Sequence, residues 1–274
     1  MSIVKKKVLR ESEVDKLLHA IDHMNEFKIG DGSLQKGGWI YADAEPKSVV
    51  ERYVKKVMAD LGHTDVSGYE WWIHDNSDGD GNNPHFDKDE ELADKTDETI
   101  NPLYGTVTYL NGEGQPTTVA DIALKRDSKD GFDIEPQCNY FAWSYPTEGT
   151  IMRFDGNLVH GVPPGADASI DRITFMINVW EKPLSKIYDN PYTDDVDIEL
   201  EDNELERPTR VEDKITYQVG AIQCMDEVVY QLLIPTLSNA PIDKDLFIAR
   251  RVQDIYIAGS EEEFKENINK METT

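Results

Sequence analysis

Cysteine, positive charge and long apolar runs are all scarce in this sequence, and each scarcity removes a class of protein. Two cysteines, Cys138 and Cys224, cannot frame a disulfide scaffold. They suit a reducing compartment, where such residues serve as small buried hydrophobes. No segment approaches the roughly 18 consecutive apolar residues of a membrane-spanning helix. The opening "MSIVKKKVLRESEVD" carries lysines but no apolar leader core, so a cytoplasmic location is the default expectation. Lysine and arginine total 28 against 54 aspartates and glutamates, leaving a net charge of −26. That field repels nucleic acid and anionic membranes, so neither is expected as a partner.

What is present reads as one sizeable core with appendages. The 274 residues suffice for a single large domain. "SEVDKLLHAIDHMNEF" predicts a helix with Ser12 as N-cap and an apolar stripe of Val14, Leu17, Leu18 and Ile21. "EPKSVVERYVKKVMADLG" predicts a second, with Pro46 in its first turn and Gly62 at its C-terminal cap. From residue 66 the texture changes to short β-type runs, among them "SGYEWWIH", "YGTVTYLN", "CNYFAWSYP", "GTIMRFDG", "LVHGV" and "RITFMINVW". Turn residues punctuate them at short intervals, the pattern of an all-β sandwich or barrel. In the last run Arg172, Thr174, Met176, Asn178 and Trp180 share one face. The expected division is N-terminal helices over 1–65, a β core over 66–182, and an acidic extension over 183–274 that packs on or caps the core. Within that extension residues 194–206 carry eight acidic side chains, a solvated linker or lid, and "SEEEFKENINKM" is a plausible closing helix.

The polar stretch "HDNSDGDGNNPHFDKDEE", residues 74–91, sits between two apparent strands. One reading is a calcium loop at 76–87, with oxygen ligands at Asn76, Asp78, Asp80 and Asp87 and a turn at Gly81. Strand-like flanks and the lack of a paired loop argue against it. A second reading starts from His85 and Asp87. His-x-Asp at a strand end puts an imidazole and a carboxylate on one face. "FDGNLVHGV" then supplies His160 near the end of another short strand, and "RIT" places Arg172 and Thr174 side by side. Two histidines and a carboxylate leave open positions on an ion, a set that suits Fe(II) and an incoming chelate with dioxygen. Arginine and a hydroxyl form a clamp for a carboxylate.

With these motifs in this order the sequence resembles the Fe(II)/2-oxoglutarate-dependent dioxygenases, especially their prolyl-hydroxylase-like and small-molecule members. "TVTYLN" adds to the likeness. The resemblance implies a mainly β (α+β) fold, a double-stranded β-helix or jelly roll, with N-terminal helices packed on the major sheet. It implies Fe(II) on His85, Asp87 and His160. It also implies 2-oxoglutarate on Arg172, Thr174 and Tyr109, and O2 as the oxidant, with succinate and CO2 as co-products. Halogenating relatives lack the carboxylate that Asp87 provides, so halogenation is disfavoured. A cupin-like metal protein without 2-oxoglutarate is the alternative, and it leaves Arg172 unexplained.

A small molecule, amino-acid derived, is the expected substrate. His74, Trp72, Arg153 and Asn178 are the candidate contacts. Trp71 and Trp72 must point to opposite faces, so one belongs to the core. Algal relatives that close rings in kainoid-type compounds keep desaturation and oxidative cyclisation open beside hydroxylation, and with them a place in natural product biosynthesis.

Overall fold

The computed structural model describes residues 3–24, 27–28, 34–62, 65–75, 82–96, 98–123, 140–162, 172–187, 215–224, 228–237, 247–251 and 257–258. In chain order these give β1 (Val4–Lys7), α1 (Glu11–Asp22), β2 (Phe27–Lys28), β3 (Leu34–Gln35), β4 (Gly37–Tyr41) and α2 (Val49–Asp60). Next come β5 (Gly68–Asp75), β6 (Asn82–His85), α3 (Glu90–Thr96), β7 (Tyr104–Tyr109) and β8 (Thr117–Ala123). Then follow β9 (Tyr140–Ser144), β10 (Thr150–Asp155), β11 (Leu158–Val162) and β12 (Ile173–Trp180). The last strands are β13 (Ile215–Cys224), β14 (Val228–Leu237), β15 (Phe247–Arg251) and β16 (Ile257–Ala258). The protein is mainly antiparallel β-sheet with few helices.

A six-stranded sheet runs β1-β10-β7-β12-β5-β4, and a five-stranded sheet runs β15-β9-β8-β11-β6. Strand alternation gives the larger sheet two faces with different work. One face carries Tyr69, Trp71, Phe175, Ile177 and Val179 against Val14, Leu17 and Ile21 of α1 and Tyr53 and Val57 of α2. Trp71 stacks on Phe175 at 5.6 Å between ring centres, and Tyr53 meets the same ring edge-on at 5.2 Å. The other face places Val107, Tyr109, Met152 and Phe154 against Val119, Ala142 and Leu158 of the smaller sheet. The two sheets therefore share a core, and the helices cover the far side of the larger one.

Helix ends follow local chemistry. For α1 the N-cap is Arg10, not Ser12, because Glu13 reaches back to accept from the Arg10 N–H at 2.9 Å. Ser48 caps α2 by accepting from the Glu51 N–H at 3.1 Å, so Pro46 stands before the cap and outside the first turn. Gly62 adopts φ +80 just past the end of α2, as expected of a C-terminal glycine.

The expected three-part division cuts across both sheets. Residues 1–65 contribute β1 and β4, the two edges of the larger sheet, as well as helices. The sequence "VKKK" hides β1 because its lysines look solvated, yet Lys5 is buried and donates to the Tyr145 carbonyl at 3.0 Å and the Thr147 hydroxyl at 3.1 Å. From the C-terminal part, β15 pairs with β9. The acidic run at 194–206 and the closing helix expected at 260–271 lie outside the described residues. Among the described residues no helix is long and apolar enough to cross a membrane.

Candidate metal centre

His85 and His160 are register partners across the antiparallel pair β6/β11, so their side chains leave the sheet side by side. Their ring centres are 4.5 Å apart. Gly161 allows the approach, since a Cβ there would lie 2.7 Å from the Asn82 carbonyl and 3.1 Å from Pro84. Asp87 follows two residues after His85. Its Oδ1 lies 3.4 Å from Nε2 of His85, and its Oδ2 lies 3.4 Å from Nε2 of His160. All three donor atoms fall within 4.8 Å of one another. Donors around one ion with bonds of about 2.1 Å stand roughly 3 Å apart, so the spacing fits a shared cation.

The chemistry of the donor set fits too. His160 donates from Nδ1 to the Leu158 carbonyl at 3.0 Å, which fixes the ring and turns Nε2 toward the site. Nε2 is buried, and it faces the Asp87 carboxylate at 3.4 Å. A buried imidazole nitrogen that faces a carboxylate oxygen at 3.4 Å is well placed to share a metal ion with it. Burial alone would raise the Asp87 pKa, but the charges and hydrogen bonds of His160 and His85 outweigh it and hold the carboxyl well below the usual range. Asp87 is steadied from outside by Asn178, whose Nδ2 donates to Oδ2 at 3.1 Å, and by Asn101, whose Nδ2 donates to its backbone carbonyl at 2.7 Å.

The triad stands between two cavities that meet at Trp72 and His85. The smaller, about 80 Å³, is lined by His74, His85, His160, Thr117, Arg172 and Met176. Arg172 is 3% exposed. It donates to the Thr117 hydroxyl at 2.7 Å and the Gln115 carbonyl at 3.1 Å, and reaches Thr174 at 3.5 Å. Burial pulls its pKa down, with Tyr109 opposing, but a guanidinium stays charged. Among the described residues no carboxylate pairs with it. Its stem packs under Gly114, which takes φ +88 and where a Cβ would come within 2.7 Å of the Arg172 Cβ.

Tyr109 lies behind this end, with its ring 5.6 Å from the guanidinium carbon. Its hydroxyl donates to the Ser144 carbonyl at 2.8 Å and sits 2.9 Å from the Thr117 hydroxyl. Burial raises its pKa against the pull of Arg172 and of these hydrogen bonds, so the phenol keeps its proton. Thr117 thus links Arg172 to Tyr109. It was not legible as a site residue because nothing in "QPTTVADIAL" distinguishes one threonine from the next.

The larger cavity, about 290 Å³, is lined by Glu70, Trp72, His85, Asp87, Lys88 and Asn178 among others. Glu70 pairs with Asn178 across β5 and β12, which turns it to the inner face. Its Oε2 accepts from Nε1 of Trp180 at 3.2 Å. Burial, then the charge of Asp87, push its pKa up to about 8 against hydrogen bonds from Trp180 and Asn178. Sequence reading missed Glu70, although its alternation with Trp72 and His74 in "YEWWIH" is the signal that places it on the site face.

Of the substrate candidates, the structure brings Trp72, His74 and Asn178 to the cavities. Trp71 belongs to the helix-covered core. Arg153 does not come to the site. Its neighbour Phe154 meets the His160 ring at 4.7 Å, so alternation sends Arg153 to the opposite face, with its guanidinium 4.8 Å over the Tyr104 ring. Asn76, Asp78 and Asp80 of the calcium reading lie outside the described residues, but β5 and β6 flank them as strands. An EF-hand needs a helix on each side, and that requirement fails here.

No protein-family model matches the chain, and no curated protein sequence matches it either. Among solved structures it is similar to a prolyl-4-hydroxylase of Pseudomonas putida, at 11% identity and a TM-score of 0.37, over 66% of this chain and 88% of that one. A superposition that loose carries no argument about chemistry.

Proposed function

We propose that the chain is an Fe(II)- and 2-oxoglutarate-dependent oxygenase built on a double-stranded β-helix. Its substrate is a small, amino-acid-derived molecule, and its reaction is hydroxylation, desaturation or oxidative ring closure at an unactivated C–H bond. The observation that carries this reading is Arg172, a buried guanidinium without a carboxylate partner among the described residues, in one cavity with His85 and His160. An isolated buried charge is costly, and an anionic ligand relieves it. A cupin-like metal site needs no such residue.

His85, Asp87 and His160 would hold the iron, and the bound iron with 2-oxoglutarate supplies oxidising power from O2 with release of succinate and CO2. Arg172 would take the far carboxylate of 2-oxoglutarate, with Thr174 and Thr117 shaping that end. Tyr109 keeps Thr117 in place through a hydroxyl already committed to the Ser144 carbonyl. Asn178 orients the Asp87 carboxylate so that Oδ1 stays available. The apolar side chains of Val107 and Met176 line the same cavity and would exclude water from a ligand bound there. A net charge of −26 disfavours nucleic acid as the substrate on electrostatic grounds.

Anaerobic titration with Fe(II) and 2-oxoglutarate tests the proposal. The wild type is expected to develop the visible charge-transfer band of the chelate, and His160→Ala and Arg172→Ala are expected to lack it. Metal binding without any band would sink the oxygenase reading in favour of a cupin-like binder.

A further inference from the structure

The larger cavity carries a carboxyl group that the triad does not use. A cation on the triad offsets Asp87, but Glu70 lies outside the donor set. Its hydrogen-bond donors, Trp180 and Asn178, are both neutral, and among the described residues no cation pairs with it. Lys88 is the one lysine or arginine among the described residues lining this cavity, and its Nζ is held 3.2 Å from Glu90. A half-buried carboxylate facing a cavity gains most from a partner of opposite charge that also hydrogen-bonds.

The wall beside it supports the same ligand chemistry. Glu70 and Trp72 are two residues apart on the inner face of β5, and both line the cavity. Aromatic faces attract ammonium and guanidinium groups, most strongly when water is excluded. We propose that Glu70 anchors a cationic, amine- or guanidinium-bearing group of the substrate, with Trp72 as the adjoining aromatic wall. As a substrate subsite this rests on the oxygenase reading above. It gives that reading a directionality, because the anion enters at Arg172 and the cation enters at Glu70, with the triad between them.

The test measures binding and needs no turnover. n-Butylammonium and its neutral counterpart n-butanol are titrated into Zn(II)-supplemented protein, followed by tryptophan fluorescence and ligand-observed NMR. The wild type is expected to prefer the ammonium, and Glu70→Gln to weaken it by about tenfold or more, the usual cost of a lost charge-assisted hydrogen bond, while n-butanol is unchanged. Glu90→Gln removes a like charge already paired with Lys88 and is expected to shift the ammonium affinity by less than about twofold. Should Glu70→Gln not fold, Glu70→Asp, which withdraws the charge by one methylene, must weaken the ammonium by about threefold or more and spare the alcohol. Equal binding of ammonium and alcohol by the wild type, or unchanged ammonium binding in the Glu70 variants, overturns the proposal. The iron–2-oxoglutarate band is recorded on the same preparations. A band without ammonium preference removes this anchor alone, and ammonium preference without a band removes the oxygenase reading while leaving a cation site.

Discussion

The cavity at Arg172 and the cavity at Glu70 share Trp72 and His85 yet present opposite charge. At one end a guanidinium is enclosed by hydroxyls and a carbonyl. At the other a carboxyl is enclosed by an indole and an amide. Both charges are hydrogen-bonded by neutral groups and lack an ionic partner among the described residues. Stability does not call for either arrangement, since apolar residues of similar volume serve a core at least as well. Under the proposed function the pair would be two ligand-facing ends of one site, with the triad between them.

Breaking the anionic end has the larger expected effect. Arg172→Gln keeps hydrogen-bonding capacity but removes the charge. It is expected to raise the dissociation constant for 2-oxoglutarate by about 10- to 100-fold, measured as loss of the chelate band, while Fe(II) affinity stays near wild type. Loss of both together would mean that Arg172 supports the fold and not a ligand. Next in size is Asn178→Ala, where the Glu70 end meets the triad. Removing the donor that steadies Asp87 is expected to cost about tenfold in metal affinity, read by competition with a chelator.

A pH series sharpens the Glu70 end. In metal-free protein the folded state keeps the Glu70 proton up to a pKa of about 8, against an ordinary value of 4.5 in the unfolded chain. Between those two values the folded form binds more protons, so this residue's contribution to stability is complete below 4.5 and is lost as pH rises through 8. Melting temperatures of wild type and Glu70→Gln across that range are expected to converge toward low pH and separate toward pH 8, with the variant relatively more stable there. Parallel pH profiles would show that Glu70 is not held in an unbalanced negative field.

Much of the site was legible because it depends on short-range regularities. His85 and Asp87 are two apart, Arg172 and Thr174 are two apart, and period two alone puts each pair on a common face. Trp71 and Trp72 had to diverge for the same reason. The misses have physical causes as well. Arg153 looked available near "FDG", but the parity of β10 relative to Phe154 turns it to the helix-covered face, and parity needs a strand register to become a direction. β1 was invisible because three lysines mask a strand whose first buried lysine finds its acceptors some 140 residues away. Ser12 lost the N-cap to Arg10 because Glu13 bonds backward, a choice between neighbours too close in energy for pattern alone.

Composition, alternation and motif order by themselves determined an acidic, β-rich protein with two histidines and a carboxylate as a candidate metal set and an arginine-hydroxyl pair downstream. These are local properties, carried by residue type and by the repeat of the extended chain. Only the tertiary structure decided that His85 and His160 are cross-strand partners, that Thr117 joins Arg172 to Tyr109, and that Glu70 faces Asn178 across β5 and β12. Those relations are set by which strands pair and in which register. Register is fixed by the burial of whole faces, which no short window of sequence contains.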